Sequence, residues 1–376
     1  MNMQTAQTAF EKGNLQKADL ACRLILSREP GHVDALNLIE QIRSRLDLDL
    51  DASCAPPGSG RYLLIKAWGF GFWSDLDHVL GCLLVAELTN RTPFVHWGSN
   101  SLFRDPDTDN AFTSFFQPVS QADWSAVCRA GLSYFPDKWH ADNLRSEELA
   151  KWSGPGSRLT GMYLLGRSED VVVSDFHTKI NDLIPWIPRH SPLHGQPREA
   201  IYRYLVGKYL RLSPRLQQSI DALWAQHMAQ HNWLAVHVRG TDKIHEMGNL
   251  KAVNEAYHDR IERILEVNPS LRIFLLTDST HIVDQFRHRW GDRVFVLDCQ
   301  RGQSSTGVHL EGHPGTLLGE QVLTDAYLAS RCDFFLGNGG SNVSTGIRHL
   351  KDWPKGTFFL IGPDFLGQID LSLHDW

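Results

Sequence analysis

Between Trp233 and Ile361, short apolar runs alternate with amphipathic helical stretches, and few folds accept that order. Trp233–Val238, Arg272–Thr277, Val294–Leu297, Asp333–Gly337 and Thr357–Ile361 read as strands, separated by helical patterns over Asn254–Val267, His281–Trp290 and Gly319–Ser330. Strands apolar on both faces must be covered on both sides, and parallel neighbours need a crossover, usually a helix. The expected product is an α/β domain with a parallel sheet and helices on both faces.

The first half opens in the same style. Tyr62–Ala67 reads as a buried strand, Trp68–Phe72 as a glycine-bearing turn, and Thr92–Trp97 as the next strand. The helix between, from about Asp75 to Asn90, carries Leu76, Val79, Leu80, Leu83, Leu84 and Leu88 at helical spacing. At 376 residues the chain exceeds one ordinary core. Two tandem α/β domains facing a cleft are expected, residues 61–215 and 216–376, with the break in the stretch from Asp175 to His231. Asp51–Gly60 is rich in Pro, Gly and Ser and reads as a linker. Ahead of it, residues 4–48 read as two short helices, with Gly13, Ala18, Pro30 and Ala35 placed as in a tetratricopeptide repeat. One such unit suits a helical hairpin packed on its neighbour domain, a dimer contact, or recruitment of a protein partner.

Composition narrows the function. Hydrophobic residues are 42% and charged residues 21%, as in a soluble globular protein. No run approaches the roughly 18 apolar residues of a membrane span, and the polar stretch Met1–Lys17 lacks a signal-peptide core. The expected setting is therefore cytoplasmic, with at most peripheral contact at the inner membrane face. A net charge of −6 without a basic tract argues against nucleic acid. The six cysteines, at 22, 54, 82, 128, 299 and 332, form no CxxC pair, and the eighteen histidines form no HxH or HExxH pattern. No metal or other cofactor is expected from them.

In open parallel sheets ligands bind beyond the carboxyl ends of the strands. The chain places Arg239, Thr241, Asp242, Lys243 and Glu246 after one strand, Thr277 and Asp278 after a second, and Gly337-Asn338-Gly339-Gly340-Ser341-Asn342 after a third. Arg239 can grip a phosphate with two parallel hydrogen bonds, and Lys243 adds a point charge. The glycines let backbone amides approach a phosphate, and Ser341 suits the cap of the helix behind them. Asp278 and Asp325 suit the N–H groups of a guanine or a ribose hydroxyl, although Asp278 suits a helix N-cap equally. Coincidence at three strand ends of one domain points to a nucleotide-diphosphate site.

His237-Val238-Arg239-Gly240-Thr241-Asp242-Lys243 resembles the first motif of the α1,6-fucosyltransferases, which reads His-Val-Arg-Arg-Thr-Asp-Lys; related motifs occur in nodulation and protein O-fucosyltransferases. Leu276-Thr277-Asp278 is similar to the second motif. Gly307-Val308-His309, Asp325–Ala329, Asp333-Phe334 and Ser341-Asn342-Val343 are similar to the third region. Gly69-Phe70-Gly71, the helix carrying Asp77-His78-Val79, and Arg91-Thr92-Pro93 resemble that superfamily's opening glycine turn. The likeness runs over about residues 61–362 and is dense only in these patches.

This resemblance implies a GT-B fold, two Rossmann-like domains with GDP-fucose held mostly by the second, and an inverting transfer without a metal to a glycan or protein hydroxyl. It places Arg239 and Lys243 on the diphosphate, Asp278 and Asp325 near the nucleoside, and Ser341 near the phosphates. His237, Asp242, His309, Gly340, Asn342, Gly69 and Gly71 would complete the donor site. Gly240 departs from the family's second arginine, which leaves another GDP-deoxysugar open as donor. Met247 stands where core-fucosylating members carry a glutamate, so Glu246, Asp75, Asp77 and His78 are the base candidates, Glu246 first. Asp75-Leu76-Asp77 also matches a metal-binding Asp-x-Asp, and Trp73 can stack on an acceptor sugar. A non-catalytic nucleotide-sugar sensor is the rival from another class.

Overall fold

The computed structural model describes residues 2–46, 60–146, 159–240, 250–302 and 313–362, the first six of the fourth segment by backbone alone. Three helices lead the chain: α1 (Met3–Glu11), α2 (Leu15–Leu26) and α3 (Val33–Leu46). Two were expected. Gly13, at φ +81°, breaks the first run, and the side chains of Asn2 and Asn14 accept from Thr5 N and Lys17 N to cap each piece. Fully buried Ala6, Ala18, Ala21 and Ala35 let the three pack closely. The unit docks on the body of the protein. The Gln16 amide donates to the Tyr163 hydroxyl at 3.1 Å, the Thr160 amide donates to Gln16 Oε1, and the guanidiniums of Arg23 and Arg43 lie 5.2 and 4.9 Å from the Trp186 ring. All but Gly60 of the expected linker lies outside the described residues.

The first sheet has four parallel strands in the order β2-β1-β4-β3: β1 (Tyr62–Lys66), β2 (Thr92–His96), β3 (Tyr134–Phe135) and β4 (Val171–Ser174). Helix α4 (Phe72–Thr89) joins β1 to β2; it begins three residues earlier than its apolar spacing suggests, because Gly71 takes the N-cap position. Sixteen of its eighteen residues are buried, so it is covered on nearly every side.

Two helices, α5 (Arg198–Tyr209) and α6 (Pro214–Leu223), lead to a second sheet of five parallel strands. These are β5 (Trp233–Val238), β6 (Arg272–Thr277), β7 (Val294–Phe295), β8 (Phe334–Asn338) and β9 (Phe358–Ile361), in the order β7-β6-β5-β8-β9. Between them run α7 (Leu250–Val267), α8 (Thr280–Trp290), α9 (Gly315–Arg331) and α10 (Asn342–His349). Counted within the domain the order is 3-2-1-4-5, the Rossmann arrangement, which reverses direction between β5 and β8. The first sheet reverses between β1 and β4. Each domain thus has its own crevice at a carboxyl edge.

Helices α9 and α10 meet the first domain through glycines. A Cβ at Gly346 would overlap the Trp73 ring, one at Gly319 would overlap Phe115, and one at Gly315 would stand 2.8 Å from the Leu102 carbonyl oxygen. One hydrophobic core consequently runs through both domains, from Leu63 and Trp73 to Phe335 and Ile347. No described helix is long and apolar enough to cross a membrane.

Candidate active site

Register builds the first part of the site. β5 and β6 pair with Val238 opposite Thr277, so the next residues, Arg239 and Asp278, emerge side by side. Arg239 Nη1 lies 2.8 Å from Asp278 Oδ2, and the Gly240 amide donates to Asp278 Oδ1 at 2.9 Å. The Gly302 amide donates to the Asp278 carbonyl at 2.9 Å, which lays the segment after β7 beside this carboxylate. Asp278 is therefore the clamp that aims Arg239, not the cap of α8, whose N-cap residue is Ser279. At Gly240 a Cβ would stand 2.6 Å from Ile282 Cδ1 and 2.7 Å from Ser279 Cβ. The second arginine of the related motif has no room here.

Across the switch point, β8 ends in a turn shaped by its own side chains. The Gly340 amide donates to Asn338 Oδ1 at 2.8 Å and the Asn338 amide to Ser344 Oγ at 3.1 Å. Gly337 must lack a Cβ, which would sit 2.5 Å from Ser344 Oγ. Ser344 in turn lies 2.7 Å from His237 Nδ1, and the Tyr257 hydroxyl donates to the His237 carbonyl at 2.7 Å. Burial, and then the charge of Arg239, pull the His237 imidazole down to about 4, so it is neutral at physiological pH. Buried Ser341 occupies the N-cap position of α10 without a side-chain capping bond. Asn338 Nδ2 and Asn342 Oδ1 are buried polar atoms with no hydrogen-bond partner among the described residues. Unpaired buried groups are costly; the Asn338 Nδ2 donor and the helix N-terminus suit an anionic ligand, and Asn342 Oδ1 suits a hydroxyl or N–H donor.

Asp325 of α9 completes this wall. Burial pushes its carboxyl up to about 7, against the opposing charge of Arg301. Arg301 is held by the carbonyls of Leu297, at 2.6 Å, and Cys299, at 3.3 Å. Cys299 belongs to the same cluster: burial, and next the Asp325 charge, push its thiol up to about 12. Sequence reading had not singled out Arg301 or Cys299, which arrive from a stretch without periodic pattern. Asp242, Lys243, Glu246 and His309, expected at this site, lie outside the described residues, as does Thr241.

The glycine turn of the first domain is held differently from expectation. Gly69 has φ +90°, and its amide and that of Phe70 donate to Asp75 Oδ1 at 2.8 and 3.3 Å. Asp75 is fully buried, and its Oδ1 shapes the turn. Asp77 Oδ2 accepts from His177 Nε2 at 3.0 Å, and Oδ1 from the Tyr202 hydroxyl at 2.5 Å. His78 Nδ1 accepts from the Thr178 amide at 3.1 Å inside the core. Asp75 Oδ1 and both oxygens of Asp77 thus accept from separate protein donors. Among the described residues no cluster of three or more His, Cys, Asp or Glu could hold an ion. Trp73, the expected acceptor platform, is buried against Gly346. Phe70, 48% exposed and 4.7 Å from the Trp68 ring, stands at the surface instead.

Known proteins resemble this chain in sequence and in fold. The family model for nodulation protein Z (NodZ) matches residues 198–344, the span from α5 to the first turn of α10. Nodulation protein Z of Bradyrhizobium diazoefficiens is 24% identical over 289 residues, covering 70% of this chain and 72% of that protein. An α-(1,6)-fucosyltransferase of Drosophila melanogaster is 25% identical over 281 residues, 71% of this chain and 40% of the longer fly protein. The crystal structure of the fucosyltransferase NodZ from Bradyrhizobium superposes with a TM-score of 0.50 at 20% identity, over 77% of this chain and 93% of that one. The two proteins share their fold.

Proposed function

We propose that this chain, similar in sequence to nodulation protein Z and to α1,6-fucosyltransferases and alike in fold to NodZ, is an inverting, metal-independent fucosyltransferase that uses GDP-fucose. The observation that carries the reading is the Arg239–Asp278 pair, locked by the Gly240 amide at the switch point of the second sheet and facing the glycine turn before α10.

Residues 216–376 form the donor domain of this reading and residues 61–215 the acceptor side. When GDP leaves the anomeric carbon, negative charge grows on the β-phosphate. Arg239, joined by Lys243, stabilises that charge where it develops, and Asp278 keeps the guanidinium aimed before substrate arrives. Asp242, Gly340, Ser341 and Asn342 line the diphosphate. Asp325, with His237 and His309, faces the nucleoside, while Gly69 and Gly71 border the sugar. The acceptor is a glycan or protein hydroxyl, met in the cytoplasm or at the inner membrane face.

Gly240 favours keeping a second donor in view, because the motif holds one arginine fewer than its relatives. Isothermal titration with GDP, GDP-fucose, GDP-mannose and UDP-glucose in EDTA separates the possibilities. GDP and GDP-fucose should bind, and Arg239→Ala should weaken that binding. Equal affinity for a different GDP-deoxysugar would move the donor assignment; absence of GDP binding would remove the transferase reading.

A further inference from the structure

A second polar constellation lies at the switch point of the first sheet. β1 pairs with β4 with Ile65 opposite Ser174, so three residues further along the chains Trp68 stands beside His177. Their rings are stacked, with centroids 5.7 Å apart and planes 19° apart. His177 Nε2 meets Asp77 Oδ2 at 3.0 Å, with side chains 10% and 6% exposed. Burial disfavours the Asp77 charge, yet the hydrogen bond and charge of His177, then the Tyr202 hydrogen bond and the charge of Lys179, prevail and hold the carboxyl below its usual range. An ionised carboxylate only accepts, so Nε2 donates to it, and in the neutral ring Nδ1 is then the nitrogen that carries the lone pair. Among the described residues nothing hydrogen-bonds His177 Nδ1.

Resting on the fucosyltransferase reading, we propose that His177 is the general base that takes the acceptor proton, oriented by Asp77 as a positioning residue, with Phe70 as the apolar ledge for the acceptor ring. Of the other candidates within the described residues, Asp75 Oδ1 holds two backbone amides and His78 is buried in the core. A carboxylate fixing one imidazole nitrogen so that the other can accept a proton is an established way to make a neutral histidine a base. Its position fits as well, because the carboxyl-edge crevice of the first sheet is where a ligand opposite the donor domain would lie.

The step balances. The acceptor oxygen forms a bond to the anomeric carbon while the bond from that carbon to the β-phosphate oxygen breaks, and its electron pair leaves with GDP. The hydroxyl proton passes to His177 Nδ1. Asp77 remains ionised beside the resulting imidazolium, which later releases its proton to water. The titratable and charged groups around the dyad among the described residues include Asp77 and His78 from α4, Lys179 and Asp182 from the segment after His177, Arg198 and Tyr202 from α5, and His349 from α10, the last stacked on Tyr202 at 3.8 Å.

The test follows GDP release from GDP-fucose, with water as acceptor, between pH 5 and 9. The unaltered chain, His177→Gln, His177→Ala and Asp77→Asn are compared, with GDP titration and thermal melting as controls of donor site and folding. The rate of the unaltered chain should climb with pH through a single ionisation to a plateau. His177→Gln should bind GDP within about twofold of normal, lose about 10²- to 10⁴-fold in rate and lose that ionisation. Imidazole in the buffer should restore part of the His177→Ala rate, and Asp77→Asn should slow release while GDP still binds. A His177→Gln chain that binds GDP and releases it at the normal rate, or keeps the same pH profile, overturns the proposal. Failure of the unaltered chain to bind GDP strikes the donor reading instead.

Discussion

Arg239 and Asp278 meet at 2.8 Å because β5 and β6 run in a register that ends both strands together. The pair is partly exposed, at 23% and 15% of the side chains, so it adds little to stability and matters chiefly through aim.

Arg239→Ala is expected to lower turnover by about 10²- to 10³-fold, as for loss of one well-placed donor to a developing charge. Arg239→Lys should recover only part of this, since an ammonium cannot form the two-pronged contact. Asp278→Asn should leave the fold intact and weaken GDP binding by releasing the guanidinium. Turnover and titration on the three variants read this directly; a normal rate in Arg239→Ala would remove the residue from the chemistry.

Restoring the related motif should fail. Gly240→Arg, or even Gly240→Ala, drives a Cβ against Ile282 and Ser279, overpacking that costs about 1–3 kcal/mol. Thermal melting should show the loss, and GDP affinity should not rise. A Gly240→Arg chain that melts normally and binds GDP more tightly would show that α8 yields freely.

The Asp325 carboxyl, pushed to about 7, gives a pH signature with a definite sign. A folded-state value raised above the unfolded one stabilises the fold fully below the unfolded value of about 4, and that contribution is lost as pH rises towards 7. Asp325→Asn should therefore raise the melting temperature at pH 8 and leave it unchanged at pH 4. If the ionised carboxylate reads guanine, GDP binding should tighten about tenfold from pH 6 to pH 8, following the ionised fraction. Titrations at both pH values, on both chains, check it; pH-independent binding would take Asp325 out of the nucleoside contact.

Gly346→Ala sets a methyl group into the Trp73 ring. The ring is backed by the core and has little freedom to retreat, so a loss of about 1–3 kcal/mol is expected, with weaker GDP binding because α10 would shift. Calorimetry and titration on this variant measure the two effects together.

Much of this was legible in the residues. β5 and β6 stand where their apolar runs put them, because strands covered on both faces carry continuous signals. The glycine turn after β8 and the basic end of β5 were visible for the same reason. β3 left no trace, since two residues make no pattern, and Val171–Ser174 sits between irregular segments. His177 passed unnoticed because its partner Asp77 is one hundred positions away and only the β1–β4 pairing unites them. At Asp75 the residues alone do not show that one oxygen braces the amides of Gly69 and Phe70, because that contact depends on the turn's positive φ.

Helix α10 has eight residues, a rod of about 12 Å. Its first turn carries Asn342 and Ser344 of the donor wall, its middle rests on Trp73 through Gly346, and its last residue, His349, lies flat on the Tyr202 ring whose hydroxyl donates to Asp77. One short lever with its fulcrum at a glycine therefore touches both crevices. On the fucosyltransferase reading, the same eight residues hold side chains of the donor wall at one end and brace the ring that supports Asp77 at the other.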